Sequence, residues 1–368
     1  GTQAASNWWT TSILLGNVSY GDFVMEFDAD VSTGYGVFFR GTDDGKTAGS
    51  GYNKWFGGDT YMLMHRNPKD GKNGEYMALY NFNGSETLIK SFGAPGTMGA
   101  MEEVHWTLTV RGSSIIVTVT DRADADHSYT YSIEDITYTA GSIGFYNTTR
   151  KGVTSLKIDN LTVTPLSSLY ENDFSDEKTV ADFFTAGPDA GIWGNWQVNG
   201  GKLAVTGNPG ARWWGTTAVT NKKYDNFVME FDAASTAGYG LIFRAGSREG
   251  LNGWFGGDGY SIMHWNPTNS GNGRYMELID YCGRSDLIER FCEVGQMSSM
   301  EDMHWKVAAW NGQITVEVSD NNSDAAYVYN VSDSRYETGY IGFYSLTYEG
   351  NTTLQVDNLV ISGYMEAE

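Results

Sequence analysis

A short stretch rich in aromatic and polar side chains occurs twice in the chain with the same spacing. It covers residues 55–68, which begin Trp-Phe-Gly-Gly-Asp, and it returns as residues 254–267. Each copy continues with a tyrosine, a histidine and then Asn-Pro. Aromatic faces stack on the C–H faces of sugar rings, and neighbouring polar groups bond the hydroxyls. The stretch therefore indicates a surface that binds carbohydrate.

The candidate ligand-binding residues are aromatic, histidine and arginine side chains in or near these two copies. They are Trp8, Trp9, Arg40, Trp55, Tyr61, His65, Arg66, Tyr76, Trp213, Trp214, Arg244, Trp254, Tyr260, His264, Trp265 and Tyr275. Each has a structural alternative. The histidines can be satisfied core residues, and on a strand one member of each Trp-Trp pair faces inward. Arg40 and Arg244 can instead form salt bridges to Asp59 and Asp258.

The positions of these residues depend on strands, because apolar and polar residues alternate through most of the chain. Phe23, Met25 and Phe27 alternate with polar or smaller residues, and residues 227–231 repeat the pattern. A period of two is that of a strand with one buried face. Many such runs are separated by turn signals, and no helical period appears. This predicts an all-β fold of two tandem jelly-roll (concanavalin-like) β-sandwich lobes.

The repeated segments divide the chain into two lobes joined by a short linker around residues 165–168. We predict a first lobe over residues 1–166 and a second over residues 169–363. The second copy has a long lead-in from residue 169 to its Trp-Trp pair, whereas seven residues precede the pair in the first copy. We therefore expect the first lobe to lack one or two opening strands.

Composition excludes several classes of partner. The formal net charge is -21, so the chain cannot neutralise the phosphates of nucleic acid in number. Anionic membrane surfaces are disfavoured for the same reason, and no apolar run is long enough to span a bilayer. A neutral polymer would feel no net repulsion. The chain also has 12 Trp and 23 Tyr, more than two cores of this size need, which favours a neutral polysaccharide as the partner.

Paired carboxylates raise the question of catalysis. Glu26 and Asp28, copied as Glu230 and Asp232, resemble the Glu-x-Asp-x-x-Glu strand of jelly-roll glucanases. The third carboxylate is replaced by valine at position 31 and by serine at position 235. Glycoside hydrolysis needs two carboxylates on opposite sides of the scissile bond. We therefore expect no catalytic residues and no enzyme activity.

Aspartate and asparagine residues near the lobe ends suggest a structural calcium ion. Asp159 and Asp357 lie in the closing strand of each copy, and Asp173 lies near the start of the second. Oxygen-rich side chains suit calcium, although strand-end hydrogen bonds explain them as well. No other cofactor is expected. The two cysteines, Cys282 and Cys292, could form a disulfide or remain reduced.

Several motifs together resemble the concanavalin-like jelly-roll modules that include carbohydrate-binding module family 66 and laminin-G-like relatives. They are Asp-Phe-Ser at 173–175, Trp-x-Val-x-x-Gly-x-Leu at 196–203, the Phe-x-x-Glu-x-Asp strand at 227–232, Gly-x-x-Phe-Arg at 240–244 and Val-Asp-Asn-Leu at 356–359. All but the first two also occur in the first copy, with isoleucine in place of valine in the last motif.

The tandem, acidic and aromatic-rich form further resembles the two-lobed starch-binding module of starch adherence proteins from gut ruminococcal amylosomes. That resemblance implies a non-catalytic module that binds starch, an α-1,4-glucan, in a groove formed by one or both lobes. It also implies a bacterial cell-surface or extracellular location within a larger multidomain secreted protein. Fructan or β-glucan binding, a jelly-roll glycoside hydrolase and a protein-binding adhesin remain the alternatives.

Overall fold

The computed structural model describes the chain in ranges separated by gaps. These are residues 2–3, 9–16, 18–32, 34–42, 59–66, 76–82, 86–149, 152–153, 155–186, 195–207, 214–248, 258–265, 273–281, 285–347 and 352–363. The chain divides into two compact units, Gly1–Leu166 (unit 1) and Ser167–Glu368 (unit 2). Within the described ranges, no helix has the length and apolar character needed to cross a membrane.

Unit 1 consists of strands alone in its described part. They are β1 (Thr2–Gln3), β2 (Trp9–Leu14), β3 (Phe23–Val31), β4 (Tyr35–Gly41), β5 (Thr60–Arg66), β6 (Tyr76–Phe82), β7 (Glu86–Ser91), β8 (Glu103–Arg111), β9 (Ser114–Asp121), β10 (Ser128–Glu134), β11 (Ser142–Thr149), β12 (Gly152–Val153) and β13 (Leu156–Pro165). Two antiparallel sheets, in the orders β10-β9-β8-β3-β13 and β2-β11-β4-β5-β6-β7, supply the two layers of a sandwich.

Unit 2 contains more strands and one short helix. They are β14 (Ser167–Asn172), the 3₁₀ helix η1 (Glu177–Asp182), β15 (Phe183–Ala186), β16 (Gln197–Asn199), β17 (Lys202–Gly207), β18 (Trp214–Tyr224), β19 (Phe227–Ser235), β20 (Tyr239–Ala245), β21 (Gly259–Trp265), β22 (Tyr275–Tyr281), β23 (Ser285–Arg290), β24 (Asp302–Trp310), β25 (Gln313–Asp320), β26 (Ala326–Ser332), β27 (Gly339–Thr347) and β28 (Thr352–Gly363).

The sheets of unit 2 follow the same plan as those of unit 1. One has the order β16-β17-β28-β19-β24-β25-β26, with β14 also paired to β28, and the other has the order β15-β18-β27-β20-β21-β22-β23. Four strands and η1 precede β18, whereas only β1 precedes its counterpart β2 among the described residues of unit 1. The predicted all-β fold of two jelly-roll sandwiches is confirmed.

The core of each unit lies between its two sheets, and alternation along the strands fills it. Phe23, Met25 and Phe27 of β3 are fully buried and pack with residues of both sheets. Trp106 of β8 stacks on Phe27 with ring centroids 5.4 Å apart. Trp305 stacks on the equivalent phenylalanine of unit 2 in the same way. Cross-strand aromatic pairs of this kind stabilise a sheet beyond their buried area.

Candidate functional site

Strands β5 and β21 carry the histidine end of the repeated stretch, and their two faces have different roles. Successive side chains of a strand point to opposite faces. In β21, Tyr260 and Ile262 belong to the core, whereas Met263 and Trp265 pack in a separate apolar cluster on the other face. We call that second face the outer face of the sheet. A ligand that reaches this part of the sheet meets the outer face and not the core face.

The structure places two of the three predicted arginines, Arg40 and Arg244, in the interior. Arg40 is 1% exposed and donates to the carbonyl oxygens of Gly21, Gly112 and Tyr138. Its ion pair, at 2.9 Å, is with Asp22 and not with Asp59. The backbone of Arg40 is in the left-handed region, with φ of 50°. These contacts hold loops onto the end of the sandwich, so the side chain serves the fold.

Arg244 has the same role in unit 2. It is 2% exposed and donates to the carbonyl oxygens of Asp225, Tyr336 and Ala309. Its remaining contact is with the side-chain oxygen of Asn226, at 3.2 Å. Burial lowers the pKa of Arg244, as it lowers that of Arg40. Neither arginine is available to the outer face.

The predicted tyrosines and histidines of the repeated stretch are also buried. Tyr61 donates its hydroxyl to Asp135, and Tyr260 donates to Asp333. His65 and His264 lie on the core face with no exposed surface. Burial lowers the pKa of His65 to about 4 and that of His264 to about 3, so both rings are neutral near neutral pH. We therefore leave these four residues out of the candidate ligand surface.

The outer face of unit 2 brings two predicted residues together. Trp265 lies opposite Tyr275 in the β21–β22 ladder, and their rings are near parallel at 21° with centroids 6.3 Å apart. The indole Nε1 of Trp265 donates to Oε1 of Glu277 at 2.7 Å. The guanidinium of Arg290 lies 5.4 Å over the ring of Tyr275 and 3.5 Å from the Glu277 carboxylate. We call these four residues the unit 2 platform.

The electrostatics of this platform suit a neutral ligand. Glu277 is largely buried, and its negative charge is balanced by Arg290. Burial and then the charge of Glu277 raise the pKa of Tyr275, which keeps its phenol protonated. The side chain of Arg290 is 39% exposed and offers N–H donors in a fixed fork. The platform thus combines an aromatic surface with polar groups whose charges cancel.

The equivalent outer face of unit 1 holds different side chains, which we call the unit 1 platform. Arg66 lies opposite Tyr76 in the β5–β6 ladder, where unit 2 has Trp265. Its guanidinium donates to the Tyr80 hydroxyl at 2.9 Å and lies 5.3 Å over that ring. Glu86 lies 3.6 Å from it. This surface is a cation paired with one tyrosine, and not a continuous pair of aromatic rings.

The side chains of six predicted ligand residues lie outside the described part of the structure. Trp8, Trp55, Trp213 and Trp254 lie outside the described residues. Trp9 opens β2 and Trp214 opens β18, and the description of both stops at the backbone. Ligand contact by these six tryptophans stays a prediction.

The aspartate of each carboxylate pair, Asp28 or Asp232, lies in a hydrogen-bond network on the other sheet. Asp232 accepts from His304 Nδ1 and from the Asn358 side chain, both at 2.8 Å. Asn358 reaches it because its backbone is left-handed, with φ of 49°. The His304 hydrogen bond is the largest influence on the pKa of Asp232, which is lowered. A carboxylate held in its ionised form does not serve as the general acid of a glycosidase.

The residues predicted to bind calcium are occupied by short-range hydrogen bonds. Asp159 and Asp357 each accept the backbone N–H of the asparagine that follows, at 2.8 Å. Asp173 accepts the backbone N–H of Ser175 at 3.0 Å. In the part of the chain that the structure describes, no group of three or more His, Cys, Asp or Glu could hold a metal ion. These residues do not form a calcium shell, and calcium binding stays a prediction.

Half of the two platforms was missed from the sequence. Glu277, Arg290, Tyr80 and Glu86 are not among the sequence candidates, and all four lie outside the repeated stretch. The available signal was the period of two along β22, which puts Tyr275 and Glu277 on one face. Arg290 joins them only through the pairing of β22 with β23, which the sequence does not reveal.

No protein-family model and no curated protein matches the chain. Among solved structures it is similar to the carbohydrate binding module CBM66 from Bacillus subtilis, at 13% identity and a TM-score of 0.34, over 50% of this chain and 96% of that one. It is similar to the exoplasmic/lumenal domain of VIP36 in its Ca2+/Man3GlcNAc-bound form, at 13% identity and a TM-score of 0.35, over 51% of this chain and 85% of that one. It is also similar to a putative glycosyl hydrolase from Parabacteroides distasonis, at 12% identity and a TM-score of 0.33, over 54% and 99%.

Proposed function

We propose that the chain is a non-catalytic module that binds a neutral polysaccharide on the unit 2 platform. The observation that carries this proposal is the near-parallel pair of Trp265 and Tyr275, held in place by Glu277 and Arg290. Two near-parallel rings on adjacent strands present aromatic surface of the kind on which a sugar face stacks. The exposed part of Arg290 supplies donors for the hydroxyls at its edge.

The expected affinity of one platform is modest. Each aromatic stack contributes about 1 kcal/mol beyond the buried area, and each hydrogen bond contributes a similar net amount. Two stacks and two hydrogen bonds then contribute about 4 kcal/mol, against which the cost of association must be set, so we expect weak binding by one platform. A polysaccharide offers many equivalent rings, so even this affinity retains the chain on an insoluble or gel-bound glycan.

Starch is the polysaccharide that we propose, as an α-1,4-glucan, on the strength of the resemblance drawn from the sequence. A secreted protein at a bacterial surface, carrying this chain beside other domains, would meet such a substrate outside the cell. Fructan or β-glucan is the alternative within the same function, because a flat aromatic pair does not distinguish between neutral sugars.

Affinity electrophoresis tests the proposal. The intact chain is run through gels that contain amylopectin, levan, mixed-linkage β-glucan or xylan, with Trp265→Ala beside it. We expect retardation in amylopectin for the native chain and its loss in the variant. Tyr327→Ala is the matched control, because Tyr327 is a half-buried aromatic on edge strand β26 of the other sheet. Equal retardation of native chain and Trp265→Ala would contradict the platform, and no retardation in any gel would contradict carbohydrate binding.

A further inference from the structure

A row of buried polar side chains crosses the core face of the seven-stranded sheet of unit 2, which contains β27, β20 and β21. Tyr239 of β20 lies directly opposite Ser345 of β27 on one side and His264 of β21 on the other. Residues opposite one another in an antiparallel ladder have Cβ atoms about 5 Å apart. All three residues are at most 1% exposed. A row of this kind is unusual in a core that is otherwise apolar.

Only the middle residue of the row is satisfied by protein groups. The hydroxyl of Tyr239 accepts from Trp305 Nε1 at 2.9 Å and donates to the sulfur of Met303 at 3.3 Å. Both ring nitrogens of His264 and the hydroxyl of Ser345 have no partner among the described residues. Leaving one buried polar group without a hydrogen bond costs about 1–3 kcal/mol.

Unit 1 has the same row at the equivalent positions. Tyr35 lies opposite Asn147 and His65, and its hydroxyl accepts from Trp106 Nε1 at 2.8 Å. The Nδ1 atom of His65 lies 3.3 Å from that hydroxyl. In either tautomer, Nε2 of His65 is left without a described partner, as is Oδ1 of Asn147. In both sandwiches, Nε2 of the buried histidine and a side-chain oxygen on the far side of the tyrosine thus lack a described partner.

The buried polar groups without a hydrogen-bond partner determine which ligand could satisfy them. A neutral imidazole has one N–H donor and one lone-pair acceptor, and a serine hydroxyl has both functions. Because both imidazoles are fully buried, a charged ligand would lose its hydration without gaining a counter-charge. Water fits these requirements, since one molecule donates and accepts and needs two to four polar partners.

We propose that each unit binds at least one ordered water molecule in this row, at a ring nitrogen of His264 in unit 2 and at Nε2 of His65 in unit 1. The hydroxyl of Ser345, on the other side of Tyr239, is a further buried group in unit 2 for an ordered water to satisfy. The water belongs to the fold and does not depend on the carbohydrate-binding proposal. His264 directly precedes Trp265, so the water is bound to the strand that carries the unit 2 platform.

A crystal structure of the intact native chain at high resolution is the direct test. We expect a solvent peak at about 2.7–3.2 Å from a ring nitrogen of His264 and from Nε2 of His65. Ring nitrogens that bond only protein atoms, or that lie against carbon atoms with no solvent peak, would overturn the proposal.

Water-oxygen-17 magnetic relaxation dispersion tests it in solution, since it counts water molecules with long residence times. We expect His264→Phe to lose at least one such molecule, because phenylalanine fills the ring site without polar atoms. Val316→Ala is the control, since it opens space among buried apolar side chains, and apolar cavities stay dry. An unchanged count in His264→Phe would overturn the proposal for unit 2. If that variant does not fold, the native crystal structure decides.

Discussion

Unit 1 and unit 2 share one arrangement of strands but differ in the side chains of one outer face. Arg66 is the last residue of β5 in unit 1, and Trp265 is the last residue of the equivalent strand β21 in unit 2. On the next strand, Ala78 of unit 1 takes the place of Glu277. Both faces carry an arginine–glutamate pair, but unit 1 presents an arginine over one tyrosine, whereas unit 2 presents two near-parallel rings beside the pair.

The interiors differ far less. Each unit has a buried arginine at the end of a strand with its donors on loop carbonyls. Each also has a tryptophan that donates to a buried tyrosine beside a buried histidine. The buried contacts are thus shared by the two units, whereas the outer faces carry different side chains. We therefore expect the two platforms to differ in ligand affinity more than the two units differ in stability.

The largest expected effect is a loss of stability in acid, which we attribute to the two buried histidines. Their pKa values are lowered in the folded state, so below about pH 6.5 the unfolded chain binds more protons than the folded one. Stability should fall by about 1.4 kcal/mol per pH unit for each histidine. The decline should end near pH 4 for His65 and near pH 3 for His264, where the folded rings protonate.

Urea denaturation between pH 7 and pH 4 measures this decline. Between pH 7 and pH 4, the free energy of unfolding of each unit should fall by roughly 3 kcal/mol less when its histidine is replaced, by His65→Phe in unit 1 or by His264→Phe in unit 2. Asp28 and Asp232 act at lower pH, because their lowered pKa values mean that their contribution is lost only below the ordinary value of 3.8. An unchanged slope in both histidine variants would contradict the account.

The buried arginines predict the next effect. Arg40→Met should lower the free energy of unfolding by about 3 kcal/mol, because three loop carbonyls lose their donor. Asp22→Asn should cost about 1 kcal/mol, since Asn226 holds the equivalent Arg244 in unit 2 with its side-chain oxygen. Guanidinium denaturation distinguishes them. A larger loss for Asp22→Asn than for Arg40→Met would show that the ion pair, and not the carbonyl contacts, secures the loops.

We expect an exchange of the platform residues to change binding about fivefold. Trp265→Arg gives unit 2 the side chain of unit 1 and removes one aromatic stack, worth on the order of 1 kcal/mol. Arg66→Trp, the reverse change in unit 1, should add affinity or leave it unchanged. Affinity electrophoresis in amylopectin compares the two. A loss of binding in Arg66→Trp with none in Trp265→Arg would assign the ligand to unit 1.

The smallest predicted effect concerns the tyrosine between the sheets. In unit 2 the hydroxyl of Tyr239 donates to Met303, whereas in unit 1 the equivalent residue is Val104 and the hydroxyl of Tyr35 lies beside His65. Met303→Val should turn the Tyr239 hydroxyl towards His264, at a stability cost below about 1.5 kcal/mol. The ring nitrogen-15 shifts of His264 report the new hydrogen bond. Shifts identical to those of the native chain would contradict it.

The sequence predicts the fold well because alternation is a local signal. Phe23, Met25 and Phe27 face the core as their spacing requires. Trp265 and Tyr275 are candidates by residue type and by their place in or near the motif, and both are half-buried. Residue type and motif membership do not separate His264 from Trp265, because these neighbours on one strand face opposite sides of the sheet.

The partners of the buried and platform residues come from strands distant in sequence. Arg40 bonds to Gly112 and Tyr138, which no spacing in the motif indicates. Arg290 reaches Glu277 only because a register shift occurs between β22 and β23. Non-local pairing of this kind is a property of the folded sheet, so it decides which sequence candidates end up inside and which end up on the platform.

A crystal structure of the intact chain soaked with maltoheptaose tests the central claim most directly. The account predicts a sugar ring on the face of Trp265 or Tyr275, with hydroxyls within about 3.2 Å of Arg290. A maltoheptaose bound elsewhere, with no contact to these side chains, would contradict it.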